Sequence, residues 1–287
     1  MDTLSFDLIK KINRSNLIPI SVEELRSPEV DAVRARTTHG QFCWVSQPLI
    51  CQYLLKKFDL EIITYLEADS LFFADPKPLF DELGAQSVSL VPHRYTPEYD
   101  QTEISGKYCV QFNAFRNNAE GQAVLDFWKS ECFKYSKDFP LTYPGQTCLD
   151  EWPSRFPGVK ELTHIGGGAA PWNIQQYSVT KKDSKIFVNN SELIFFHYHS
   201  MAKYEDGRYE LGRYRLSRET IEFIYKPYLV EMEAAEKWVK TTQPDFNYCR
   251  TLSVPKNPIE KMRRWASDHK RKWKGNYNVY SRDRLTD

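Results

Sequence analysis

Apolar positions along this chain fall into short runs separated by polar, turn-rich stretches. Ile62, Ile63, Tyr65 and Leu66 stand between Glu61 and Glu67. Their β-branched and aromatic character predicts a buried strand over 61–66. Pro76 and Pro78 open a predicted helix over 76–83, since proline suits the first helical turn. Upstream, Leu4, Leu8, Ile9 and Ile12 share a helical face, which predicts a helix over 4–12, and 17–20 reads as a short strand. Ser21 and Ser27 suit the caps of two brief helices, and a longer helix leads to Phe58. Further strands are predicted over 87–92, 108–115, 159–164 and 193–198. A helix over 119–133 turns Val124, Phe127 and Trp128 inward, another starts near Pro144, and a hairpin over 177–188 turns at Asp183-Ser184. A long helix over 217–241 follows its cap Ser217. Alternating helices and strands predict an α/β fold with a mixed central sheet flanked by helices. The expected division is a domain over 1–215 and a helical, basic extension over 216–287.

The 287 residues suffice for a substantial core, and a net charge of +1 argues against a strongly charged partner for the chain as a whole. Positive charge concentrates after Ile259, at Lys261, Arg263, Arg264, Lys270, Arg271, Lys272 and Lys274, with Trp265 and Trp273 among them. A basic helix bearing tryptophan suits an anionic lipid surface; the alternative is a solvated helix that packs both tryptophans on the domain. Nucleic acid is not expected, because the rest of the chain is not basic. No window of about 18 apolar residues predicts a membrane span. Six cysteines without a Cys-x-x-Cys pair suggest neither a zinc site nor a redox motif. Free thiols fit a reducing compartment, so a cytoplasmic location, with peripheral contact at the inner membrane face, is the expectation.

Candidate chemistry begins at Glu67-x-Asp69. Two carboxylates at a strand end can project past a sheet edge and share a divalent cation. The strand predicted over 193–198 ends in His197-Tyr198-His199, and the two histidines, two residues apart, share a face, so either could add an imidazole ligand.

The stretch Tyr65-Leu66-Glu67-Ala68-Asp69-x-x-Phe72-Phe73-x-Asp75-Pro76 resembles the Asp-x-Asp region of GT-A sugar-nucleotide glycosyltransferases, near the glycogenin-like and bacterial galactosyltransferase group. Four more segments match in order. They are Val110 to Ala114, whose Asn113 matches the strand facing the donor sugar; Gly145-Gln146-x-x-Leu149-Asp150; Ala170-Pro171-Trp172-Asn173; and Phe195-Phe196-His197-x-x-Ser200-x-x-Lys203. The resemblance implies a GT-A fold and transfer of a sugar, with retention, from a nucleotide-diphosphate donor, most simply a UDP-sugar, to a glycan or lipid-linked acceptor. It implies Glu67, Asp69 and His197 as ligands to Mn2+ or Mg2+. Lys203 would hold donor phosphates, Gln146 and Asp150 would lie near the reacting carbon, and Asn113, Trp172 and Asn173 would bind substrate. Three departures stand out. Glu67 replaces the first Asp, Gly145 an Asp, and Ser200 a Gly. The family also opens with a strand–helix unit for the nucleotide base, whereas this chain starts with what looks like the segment after it. The base is then bound differently, or the frame is a non-catalytic scaffold in which the 17–20 strand lies uncovered.

Overall fold

The computed structural model describes residues 1–134, 144–244 and 251–283. Cys249 lies outside the described residues. The chain is a mixed α/β protein whose contacts divide into two compact units: Met1–Glu67, Phe80–Pro92 and Gln101–Thr163; and Ala68–Leu79, His93–Asp100 and His164–Asp287. The units interleave along the chain, and 164–215 belongs with the later helices instead of ending a domain at 215.

In the first unit, strands Ile62–Leu66, Phe112–Arg116, Val88–Pro92 and Tyr108–Cys109 are neighbours in that order, all antiparallel, and Val159–Glu161 joins Val88–Pro92 in parallel. The sheet is therefore mixed. Helices Gln47–Lys57 and Ala119–Phe133 pack with it. Trp128, Phe115 and Trp152 are fully buried at its centre. Phe115 and Trp128 stack at 5.9 Å, and Trp152 meets Trp128 edge-on at 5.6 Å. The expected inward positions Val124 and Trp128 are buried, with Phe127 partly so.

Two expectations fail here. The strand over 61–66 is half-buried, because among the described residues Ile62–Leu66 pairs only with Phe112–Arg116 and forms a sheet edge. Residues 17–20 form no strand. The Ile20 carbonyl accepts from the Met1 amine, and the Val22 N–H donates to the Met1 carbonyl, so no ladder develops.

In the second unit, Ser70–Phe72 pairs antiparallel with Phe195–His197. The predicted hairpin is present as Val179–Lys182 and Lys185–Val188, with Asp183 and Ser184 both at positive φ, as a type I′ turn requires. The long helix runs as Arg218–Thr220, a π-turn Ile221–Tyr225, and Lys226–Thr242. The π-turn stands just ahead of Pro227, which has no N–H to continue the α-helical ladder. Helix Pro258–Lys274 carries the basic tail. It is joined to the strands before it by a buried bidentate pair, Arg271 to Glu210, at 2.8 and 2.7 Å. Tyr198 likewise donates to the Ile224 carbonyl at 2.8 Å. These bonds explain why 164–215 and the later helices form one unit. Among the described residues, no helix is long and apolar enough to cross a membrane.

Candidate functional site

The pairing of Ser70–Phe72 with Phe195–His197 sets the site. Ser70 lies opposite His197, so Asp69 stands one residue beyond the ladder, where its carbonyl accepts from the Tyr198 N–H at 2.7 Å. This register brings the Asp69 carboxylate Oδ1 to 3.0 Å from His197 Nε2. Two groups that the sequence holds 128 residues apart thus meet at a strand end. Burial pushes the Asp69 carboxyl up. The hydrogen bond and charge of His197, with His199 adding, more than offset this and hold it below its usual range. His199 is displaced downward, first by burial and then by His197, with Asp69 opposing. It is therefore a neutral imidazole near neutral pH.

Around these groups stands an aromatic wall. The Trp172 ring meets His197 at 5.3 Å and His199 at 5.6 Å, both edge-on. On its other contacts it meets His93 at 5.3 Å and Tyr95 at 6.2 Å, and His93 stacks on Tyr95 at 4.5 Å. Trp172 is only 5 % exposed, and its Nε1–H donates to the His93 carbonyl at 2.9 Å. It packs on the two imidazoles and offers little open face. Asn173 is likewise structural: its amide donates to the His93 and Gly168 carbonyls and accepts from the Ala170 N–H. From sequence, His93 and Tyr95 are legible only as the start of a long polar loop over 93–106 that is either functional or mobile, without this aromatic role. Their signal was their position, immediately after the strand Val88–Pro92.

Ser200 departs from the glycine of the resembled pattern, yet its φ is +65°, in the left-handed region that favours glycine. The chain turns there between the histidines and Lys203.

Other expected residues are engaged elsewhere. Lys203 pairs with Glu236 at 2.6 Å and sits over the Tyr209 ring, so its ammonium already has a carboxylate partner. Glu67 belongs to the first unit, where Oε1 accepts from Gln47 at 3.2 Å and Tyr65 at 3.3 Å. In the same unit, Asn113 is fully buried and donates to the Ser89 carbonyl, with no hydrogen-bond partner for its Oδ1. Gln146 donates to the Ser105 carbonyl at 2.9 Å, and Asp150 accepts from the Lys107 N–H at 2.9 Å. Both brace the loop before Tyr108.

The residues present fit a divalent cation in part. Two donor atoms about 2.1 Å from one ion, at right angles, lie about 3 Å apart, which is the Asp69–His197 separation. Ser70 Oγ, on the residue opposite His197, is buried and has no hydrogen-bond partner. Asp69 and His197 lie in one unit, and Glu67 belongs to the other. Among the described residues no group of three His, Cys, Asp or Glu side chains could hold a metal ion.

No family model matches the chain. It is similar to the uncharacterized protein YfnD of Bacillus subtilis (strain 168), 26% identical over 270 residues, which span 90% of this chain and 85% of that protein. It is also similar to the uncharacterized protein YfnF of the same organism, 25% identical over 247 residues, covering 83% and 81%. No solved structure matches.

Proposed function

We propose that the chain is a metal-dependent glycosyltransferase of the GT-A type, which moves a sugar from a nucleotide-diphosphate donor. The observation that carries this reading is the Asp69–His197 pair, an anionic carboxylate beside an imidazole at a strand end. Breaking a sugar–phosphate bond leaves a multiply charged diphosphate, and a bound Mn2+ or Mg2+ would neutralise it as a Lewis acid. Asp69 and His197 would hold that ion, with oxygens of the diphosphate and water completing its shell. Asp69 serves because it stays ionised throughout the physiological range. His199, neutral and held by Trp172, can donate or accept one hydrogen bond toward the same ligand. The aromatic wall of Trp172, His93 and Tyr95 keeps both imidazole rings in fixed orientation.

Asp69→Ala is expected to abolish sugar transfer from a UDP-sugar while the melting temperature changes little, since that side chain is 43% exposed. Transfer that survives this change would sink the assignment. A second reading, a binding protein on the same scaffold without catalysis, draws on one specific observation. The cation expected to hold donor phosphates, Lys203, is neutralised by Glu236. Isothermal titration with UDP and Mn2+ separates the readings: no heat from any nucleoside diphosphate favours the scaffold.

A further inference from the structure

Helix Pro258–Lys274 has its polarity reversed relative to an ordinary surface helix. At about 3.6 residues per turn, Arg264, Asp268 and Arg271 share one face, and that face points into the protein. Arg271 is buried against Glu210, while Arg264 bonds Asp268 at 3.0 Å and also the Tyr204 hydroxyl. The opposite face is the apolar one. Ile259, Met262, Ala266, His269 and Trp273 form a stripe, with Trp265 at its margin against His269. Ile259 is 60% exposed, Met262 64%, Trp265 61% and Trp273 87%. A helix that turns polar groups inward and tryptophan outward costs stability unless something else covers the stripe.

The borders of the stripe say what that is. Lys261 and Lys272 run along one side, and Arg263, Lys270 and Lys274 along the other; all five are exposed. Glu260 is the acidic residue of this helix on the exposed surface, and Asp268 faces inward to Arg264. An apolar stripe with tryptophan, bordered on both sides by cations, matches the boundary between lipid headgroups and acyl chains. A second copy of the chain would have to bring cation against cation along both borders, which disfavours self-association. We infer that the outward face of helix Pro258–Lys274 docks on an anionic membrane surface, with Trp265, Trp273, Met262 and Ile259 at the acyl boundary and the five exposed cations against headgroup phosphates.

The test uses the full chain and two vesicle preparations, pure phosphatidylcholine and phosphatidylcholine rich in phosphatidylglycerol. The wild type is expected to co-float with the anionic vesicles and to blue-shift its tryptophan emission there. It should stay behind with the neutral ones and release as salt rises past a Debye length of a few ångströms. Trp265→Ser/Trp273→Ser should weaken anionic partition by about tenfold or more, and Lys270→Gln/Lys274→Gln by a smaller factor. Both variants change exposed side chains, and unaltered far-ultraviolet dichroism and melting confirm that they fold. Equal partition into both vesicle types, no partition into either, or full binding by the double tryptophan variant overturns the inference. So does a dimer in sedimentation that the tryptophan changes abolish, which would assign the stripe to a self-interface.

Discussion

Single residues carry most of what the site can do, and some are fixed by space alone. A Cβ on Gly166 would lie 2.0 Å from the Glu192 carbonyl oxygen, a backbone atom that cannot yield. Gly166→Ala is therefore expected to destabilise by about 3 kcal/mol, read from chemical denaturation. Charge is legible in the same way. The Glu24 carboxyl is drawn down to about 2 by Lys57, then by Tyr53 and the Ser21 N–H. A depressed carboxyl contributes stability above its unfolded value of 4.5 and loses it as pH falls toward 2. Acid melting curves of Glu24→Gln should lack this component and converge with wild type at the acid end. The effect should shrink in salt, because the group is exposed. Asp69 and His197 were legible from sequence, Asp69 through the Glu67-x-Asp69 spacing after an apolar run and His197 at the end of one. His93 and Tyr95 were legible only as the start of a loop after a strand; their contact with Trp172 was not, since a loop residue has no period. For Lys203, sequence placed the cation but not its partner Glu236, which comes from the helix Lys226–Thr242.

At the scale of elements, helices were easier to read than strands. Caps and periodicity are local, so Ala119–Phe133 and the Ser27 cap of Pro28–Ala35 match the expectation closely. A strand needs a neighbouring strand, and in 17–20 the Leu17 N–H instead bonds the Arg14 carbonyl while the Ile20 carbonyl accepts from the Met1 amine. The strand expected over 108–115 divides for the same reason. Among the described residues, Tyr108–Cys109 pairs only with Val88–Pro92, while Phe112–Arg116 joins both Ile62–Leu66 and Val88–Pro92. The reversed polarity of Pro258–Lys274 was also hidden, because composition shows charges and tryptophans but not which face meets the protein. Its anchor gives a sharp test. Arg271→Ala strands the buried Glu210 carboxylate and should cost about 3–5 kcal/mol, whereas Arg271→Met with Glu210→Leu should recover most of that loss. Equilibrium denaturation of the three proteins checks the order.

For the whole molecule, the α/β class followed from alternating elements, but the division into units did not. Contacts such as Arg271 with Glu210 and Tyr198 with Ile224 join segments far apart in sequence, and no local pattern announces them. The similarity to YfnD spans 90% of the chain, so the same long-range arrangement is expected there, and the equivalent of the Asp69–His197 pair can be sought in it. The most direct measurement is calorimetric titration of Mn2+ with UDP into wild type and Asp69→Asn. The account predicts binding that needs both ligands in the wild type and falls by about a hundredfold or more in the variant, with unchanged melting of the free protein. Equal affinity in the two proteins, or none in either, would contradict it.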